Sequence, residues 1–118
     1  MIHVALSKAQ VSKKPPLIHR DYKLRDQDID WVLIDMSGRY PVSGWAVNKV
    51  SKELCFVVRG KGEIILKGDD GSESRTKFFK NDVLLIPPNV KYHWQAKCRL
   101  GISCSPAWTS DQHETVED

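Results

Sequence analysis

The sequence lacks the marks of a membrane protein, a secreted precursor or a disulfide-stabilised domain. Among its 118 residues, no apolar run approaches the roughly 20 residues that a transmembrane helix needs. The lysines near the start follow a short apolar segment, whereas a signal peptide carries its charge first and a longer apolar block next. Three cysteines make an odd number without CxxC spacing, which argues against a disulfide framework or a zinc knuckle. These absences predict a cytoplasmic protein with no membrane partner and with buried, free thiols at Cys55, Cys98 and Cys104.

The chain also lacks a basic stripe interleaved with aromatic residues. Its formal net charge is only +3, with lysines near the start and acidic residues at the end. Nucleic acid is therefore not an expected partner. The length suits one compact domain, and the hydrophobic fraction of 41% is that of an ordinary globular protein.

No long helical period is present. Short apolar segments, rich in β-branched and aromatic residues and bounded by turn residues, recur about every ten residues instead. The predicted strands are 31–35, 45–50, 53–58, 63–68, 76–80, 82–86, 91–96 and 99–105. This spacing predicts an all-β sandwich or barrel.

The two ends of the chain differ from the strand-rich middle. Residues 1–23 are polar and basic, and Pro15-Pro16 interrupts any helix, so we expect an irregular arm or an edge strand there. Residues 24–118 are predicted to form a single barrel domain. The acidic segment from Thr109 onward is expected either to fray or to form a short closing element.

Two segments resemble the motifs of the cupin superfamily. Glu53, six intervening residues and Gly60 match the second half of the first motif, G-x5-H-x-H-x3/4-E-x6-G. The stretch NDVLLIPPNVKYHW resembles the second motif, G-x5-P-x-G-x2-H-x3-N, with Pro87 at the proline and Asn89 at the glycine. Asn tolerates the positive φ that this glycine position favours. The resemblance spans about residues 30–108 and implies a double-stranded β-helix, the jelly-roll cupin barrel.

The histidines of the first motif are replaced in this chain. Counting back from Glu53, the two histidine positions of the family fall at Val47 and Lys49. With the longer spacing they fall at Ala46 and Asn48. Neither alignment recovers a histidine.

The second motif loses its histidine as well. Tyr92 stands at that position, and His93 follows one place later. Neighbouring side chains on a strand point to opposite faces, so His93 would point outward unless a β-bulge near Pro88-Asn89 shifts the register. Of the four ligands that the resemblance implies, only Glu53 remains, so no metal cofactor is predicted. The other histidines, His3, His19 and His113, lie in the terminal segments, where surface or packing roles are expected.

The resemblance implies a pocket in the barrel interior. With the shorter spacing, Lys49 would face Glu53 and form an ion pair where the family holds its metal. Glu53 is the predicted general acid or base, with Lys49 and Tyr92 as partners in proton transfer. The predicted ligand-binding residues are Val47, Asn48, Lys49, Glu53, Cys55, Tyr92 and Trp94, with Trp45 as a neighbour.

Three classes of function stay open from the sequence. The first is a small-molecule-binding protein without metal, suited to a sugar-like or carboxylate ligand. The second is an enzyme, metal-dependent or metal-free, of the sugar isomerase, epimerase or oxygenase type. The third is a non-catalytic structural or interaction module in which Lys49 and Glu53 satisfy only each other. A homodimer is expected, because small cupins commonly pair through exposed strands and the N-terminal segment could add one.

Overall fold

In a computed structural model, which describes residues 1–117, the chain is mostly extended. Nine strands occur within that range, together with two single-turn 3₁₀ helices at Leu6–Lys8 and Ser110–Gln112. The strands are β1 (Gln10–Lys14), β2 (Leu17–Asp21), β3 (Val32–Tyr40), β4 (Trp45–Asn48), β5 (Lys52–Lys67), β6 (Glu73–Phe79), β7 (Val83–Ile86), β8 (Lys91–Ser105) and β9 (His113–Val116). Among residues 1–117, no helix is long and apolar enough to cross a membrane.

The strands form one curled, antiparallel sheet. Its main path runs β1-β2-β3-β8-β4-β9, and β5 joins β8 with β6 and β7 on its other side. Strands β5 and β8 pair along their whole lengths, from Lys52 opposite Ser105 to Lys67 opposite Lys91. This long curled ladder closes the sheet around one interior.

The sequence predicted each of β5 and β8 as two shorter strands, and this was wrong. Gly60 has a φ of +82°, which bends β5 without ending it. A Cβ atom at Gly60 would lie 2.3 Å from the carbonyl oxygen of Lys97, so only glycine lets the two backbones approach here. The register also shifts between Val57 and Arg59. The ladder therefore continues around the bend, and the predicted turn becomes a kink.

Alternating side chains of the two long strands, together with side chains from the neighbouring strands, fill the interior. Phe78, Val57 and Leu100 are completely buried. Other core residues include Met36, Ala46, Cys55, Ile64, Ile86, Tyr92, Trp94, Cys98, Ile102 and Cys104. All three cysteines are buried and unpaired, as predicted.

Both ends of the chain join the sheet. Strands β1 and β2 form a hairpin that pairs with β3, and Leu17 of β2 reaches the core. Strand β9 pairs with β4, with Asn48 opposite His113. The side chain of Gln112 accepts hydrogen bonds from the backbone N–H groups of Val50 and Ser51. This contact fixes the C-terminal segment over the turn between β4 and β5.

Candidate functional site

Glu53 is an acidic residue buried in the barrel interior. It follows the first residue of β5, where the strand alternates exposed and buried positions, and its side chain takes the buried side. Its Oε1 accepts hydrogen bonds from the Nδ2 of Asn48 and, at 3.2 Å, from the hydroxyl of Tyr92. β4, β5 and β8 thus each supply one member of a buried polar triad.

The environment of Glu53 sets its proton affinity. Burial raises the pKa of its carboxyl to about 6, while the hydrogen bonds from Asn48 and Tyr92 lower it in part. The pKa of Tyr92 lies well above its ordinary value because of burial and because of the nearby Glu53 charge. The carboxyl can therefore take up or release a proton near neutral pH, while the phenol stays protonated.

Asn48 connects this triad to the C-terminal segment. Its Oδ1 accepts a hydrogen bond from the indole Nε1 of Trp108 at 3.1 Å and lies 2.7 Å from the Nδ1 of His113. Since the amide oxygen only accepts, His113 carries its proton on Nδ1. Burial lowers the pKa of His113, which favours this neutral form. Both ends of the Asn48 amide are thus held, and its NH₂ group points at Glu53.

Tyr92, Trp94 and Cys55, three of the predicted ligand-binding residues, are buried in the core of the barrel. The rings of Tyr92 and Trp94 meet edge to face with centroids 6.4 Å apart. Cys55 is fully buried, and burial raises the pKa of its thiol well above the ordinary range. This thiol is a packing group and not an activated nucleophile.

The predicted ion pair between Lys49 and Glu53 is not formed. Lys49 lies beyond the end of β4, is half-exposed, and places its Nζ 2.7 Å from the carboxylate of Glu114. Val47 is buried but does not join the core cluster, whereas Ala46 does. The alternation of β4 points Ala46 and Asn48 inward and Val47 to the other face, which is the arrangement that the longer motif spacing predicts.

His93 lies on the opposite face of β8 from Tyr92, as strand alternation predicts. Its ring packs against Trp45, with centroids 4.8 Å apart. Burial lowers the pKa of His93, and nearby Arg39 lowers it further. No bulge turns this histidine toward Glu53, and Trp45 packs with it outside the interior.

The residues around Glu53 do not suit a transition-metal ion. Such an ion needs three or four converging donors. Within residues 1–117, no group of three His, Cys, Asp or Glu side chains is placed to hold a metal. The two neighbours of the Glu53 carboxyl, Asn48 and Tyr92, both donate hydrogen bonds to it. We therefore assign no step to a metal.

Sequence reasoning missed Trp108 and His113 as members of this network. They lie 60 and 65 residues from Asn48 along the chain. No local motif marks either residue, since the contact depends on β9 returning to pair with β4. The one available signal is weak: a tryptophan and a histidine in an otherwise polar and acidic tail.

A cleft of about 440 Å³ borders the network from outside. Asp26, Gln27 and Val50 line it together with the C-terminal segment, including Trp108. Trp108 thus lines this cleft and contacts Asn48 through its indole, and Asn48 in turn contacts Glu53.

Known structures share this architecture although sequence comparison finds no relative. No protein-family model and no curated protein matches the chain. Solved structures of Streptomyces Pac13, a nucleoside dehydratase, match with a TM-score of 0.87 over 99% of this chain and 92% of theirs, at 16% identity. One Bacillus subtilis oxalate decarboxylase structure matches with a TM-score of 0.81 at 11% identity. The fold is a cupin fold.

The extent of these matches differs. The cupin match to oxalate decarboxylase covers 94% of this chain but only 31% of that protein. The match to Pac13 is nearly end to end and includes the N-terminal hairpin and the closing strand β9. At such low identity these likenesses define the fold alone.

Proposed function

We propose that this protein binds a small, neutral, hydroxyl-rich molecule, such as a nucleoside or a sugar, in the barrel interior against Glu53. The observation that carries the proposal is the buried carboxyl that contacts both Asn48 and Tyr92. Burying an ionisable group is costly, and strongly perturbed pKa values cluster at functional sites. The nearly end-to-end similarity to Streptomyces Pac13, which has been solved with uridine, supports the same ligand class.

The position of Lys49 favours a neutral ligand over a carboxylate. A carboxylate beside Glu53 would bring two negative charges together in a buried site. Lys49, the cation expected to offset them, pairs with Glu114 at the surface. A hydroxyl group, in contrast, can donate to the Glu53 carboxylate and accept from Asn48 or Tyr92. We propose that this recognition needs no metal.

The 440 Å³ cleft beside Trp108 is the proposed route to the site. Trp108 is 42% exposed; its backbone N–H donates to Asp30, while its indole donates one hydrogen bond, to Asn48. A rotation of the indole would exchange this bond for one from the ligand. The flanking Gln112 contacts anchor the rest of the segment, so the movement is local.

Acid–base catalysis is a second candidate function that one observation favours. The pKa of Glu53 is raised to about 6, which lets the same carboxyl accept and return a proton at neutral pH. Tyr92 lies within hydrogen-bond distance of it and can orient a substrate hydroxyl. The reaction class would be proton abstraction and return, as in isomerisation, epimerisation or elimination of water.

Isothermal titration with uridine and with ribose tests the binding site. We expect uridine to bind the wild type and the Glu53→Gln variant to bind at least tenfold more weakly, because the substitution keeps the shape but removes the acceptor charge. Tyr92→Phe should also weaken binding. Glu114→Gln, a change of the same kind at the surface, should leave it unchanged.

Two results would overturn the proposal. If the folded wild type binds neither uridine nor ribose, the ligand class is wrong. If Glu53→Gln binds as tightly as the wild type, the ligand does not contact Glu53.

We further propose a homodimer in which the edge strand β7 meets β7 of a second copy. Leu54 and Phe56 of β5 lie opposite Leu85 and Val83 of β7, and all four are exposed. Among residues 1–117, strand β7 pairs only with β5. It contains no charged residue, whereas β1, β6 and β9 at the other edges each contain Lys, Arg or Glu. Charged edges resist pairing, and an apolar edge invites it. Two-fold symmetry would place one β7 antiparallel to the other.

The cytoplasm is the proposed location. Cys55, Cys98 and Cys104 are all unpaired thiols. Free thiols persist in a reducing compartment, whereas secreted domains of this size commonly carry disulfides.

A further inference from the structure

A second cleft lies far from Glu53, where the N-terminal hairpin meets the bend of β5 and β8. Its volume is about 510 Å³, within the usual range for small-molecule sites. Pro16, Ile18 and Met36 form apolar walls, and Asp35, Arg59 and Lys97 bring charge. Arg59 is six residues from Glu53 along β5, about 20 Å at the rise of an extended strand. The cleft is therefore separate from the proposed ligand site.

Positive charge outweighs negative charge around this cleft. The Asp35 carboxylate contacts Arg20 at 2.6 Å, the Nε of Arg99 at 2.8 Å and, more loosely, Arg59 at 3.6 Å. One carboxylate thus faces three guanidinium groups. The hydrogen bonds from Arg99 and Arg20 hold the pKa of Asp35 down at about 2, so it stays ionised and keeps these groups in place.

The β5–β8 ladder adds to this excess. Arg59 lies directly opposite Arg99, and Lys61 lies directly opposite Lys97. Like charges at directly opposed positions destabilise an antiparallel sheet. Within residues 1–117, neither Lys61 nor Lys97 forms an ion pair. The ladder thus holds two successive pairs of like-charged residues, with one carboxylate, that of Asp35, nearby. A multivalent anion bound there would reduce the repulsion between these cations.

We propose that this cleft binds a small molecule carrying a phosphate group. The phosphate would contact Arg59 and Lys97, and the body of the ligand would lie over Pro16 and Ile18. Guanidinium groups donate paired hydrogen bonds to phosphate oxygens, and a dianion matches the excess charge better than a carboxylate does. The concave apolar walls favour a compact ligand over an extended nucleic-acid backbone.

Calorimetric titration of the full chain with phenyl phosphate, inorganic phosphate and phenol tests this assignment. We expect phenyl phosphate to bind at least tenfold more tightly than inorganic phosphate, because the ring adds apolar contact, and phenol to bind hardly at all. Arg59→Gln and Lys97→Gln should each weaken phenyl phosphate binding about tenfold. Both residues are exposed, so the variants should fold.

Lys52→Gln is the matched control, since Lys52 is also an exposed cation on β5 but lies at its far end. Lys52→Gln should bind phenyl phosphate like the wild type. Glu53→Gln should also bind it like the wild type, and this result would distinguish the cleft from the proposed interior site. Absence of binding to the wild type, or an equal loss in Lys52→Gln, would refute the assignment. Tighter binding of a single-stranded oligonucleotide, with a steep salt dependence, would replace it with a nucleic-acid surface.

Discussion

Glu53 links the stability of the barrel to pH. Its folded-state pKa of about 6 lies above the ordinary value of 4.5, because burial disfavours the charged form more than two hydrogen bonds favour it. A raised pKa means that the folded state binds the proton more tightly than the unfolded state. The stabilising contribution is therefore complete below pH 4.5 and is lost as the pH rises through about 6.

The variant Glu53→Gln should remove this pH dependence. The amide keeps an acceptor oxygen for Asn48 and Tyr92 without a charge to desolvate. We expect the free energy of unfolding of the variant, relative to that of the wild type, to rise by about 2 kcal/mol from pH 4.5 to pH 8. One pKa unit corresponds to about 1.4 kcal/mol. Urea unfolding across this range measures the difference. Glu114→Gln controls for the loss of a surface charge. If the difference in free energy of unfolding between Glu53→Gln and the wild type did not change with pH, the raised pKa of Glu53 would be contradicted.

At the scale of the element, the two long strands decide where the site lies. Glu53 and Tyr92 belong to β5 and β8, and the bend at Gly60 lets one continuous ladder wrap the interior that they share. A sequence pattern shows the strand segments but cannot show that a Gly-rich stretch continues a strand. That outcome depends on how closely the partner backbone approaches, which is a long-range property.

The variant Gly60→Ala should disturb this bend far more than Gly71→Ala disturbs its turn. Both glycines have positive φ, +82° and +84°, so both alanines carry the same strain of about 1 kcal/mol. At Gly71 the added Cβ meets nothing within 4 Å, whereas at Gly60 it meets the Lys97 carbonyl oxygen. We expect Gly60→Ala to cost at least about 2 kcal/mol more in urea unfolding. Equal costs would show that the β5–β8 ladder is not tight at the bend.

At the scale of the whole molecule, β5 and β7 share an exposed apolar face. Leu85 and Val83 are about three-fifths exposed on a strand with an open edge. The N-terminal edge strand β1, expected to mediate pairing, instead carries Lys13 and Lys14 in a five-residue strand. The charged edge at β1 thus resists pairing, whereas the uncharged edge at β7 is available for it.

Sedimentation equilibrium should give twice the chain mass of 13.5 kDa. Leu85→Lys should convert the protein to a monomer, because it places a charge in the proposed apolar contact. Val11→Lys makes the same kind of change on the exposed edge strand β1 and should leave the dimer intact. A monomeric wild type, or a dimer that survives Leu85→Lys, would contradict pairing through β7.

The sequence by itself determined the all-β fold, because strand-like segments and turn residues are local signals, and its odd number of cysteines without CxxC spacing indicated free thiols. The interior position of Glu53 and Tyr92 was implied by the resemblance to cupins. The resemblance also predicted a positive φ at Asn89, observed at 63°. Only the tertiary structure decided between Lys49 and Asn48 as the partner of Glu53. The two motif spacings differ by one residue, which reverses the face of every side chain in β4. The return of β9, with Trp108 and His113 against Asn48, depends on contacts between distant segments that no local pattern encodes.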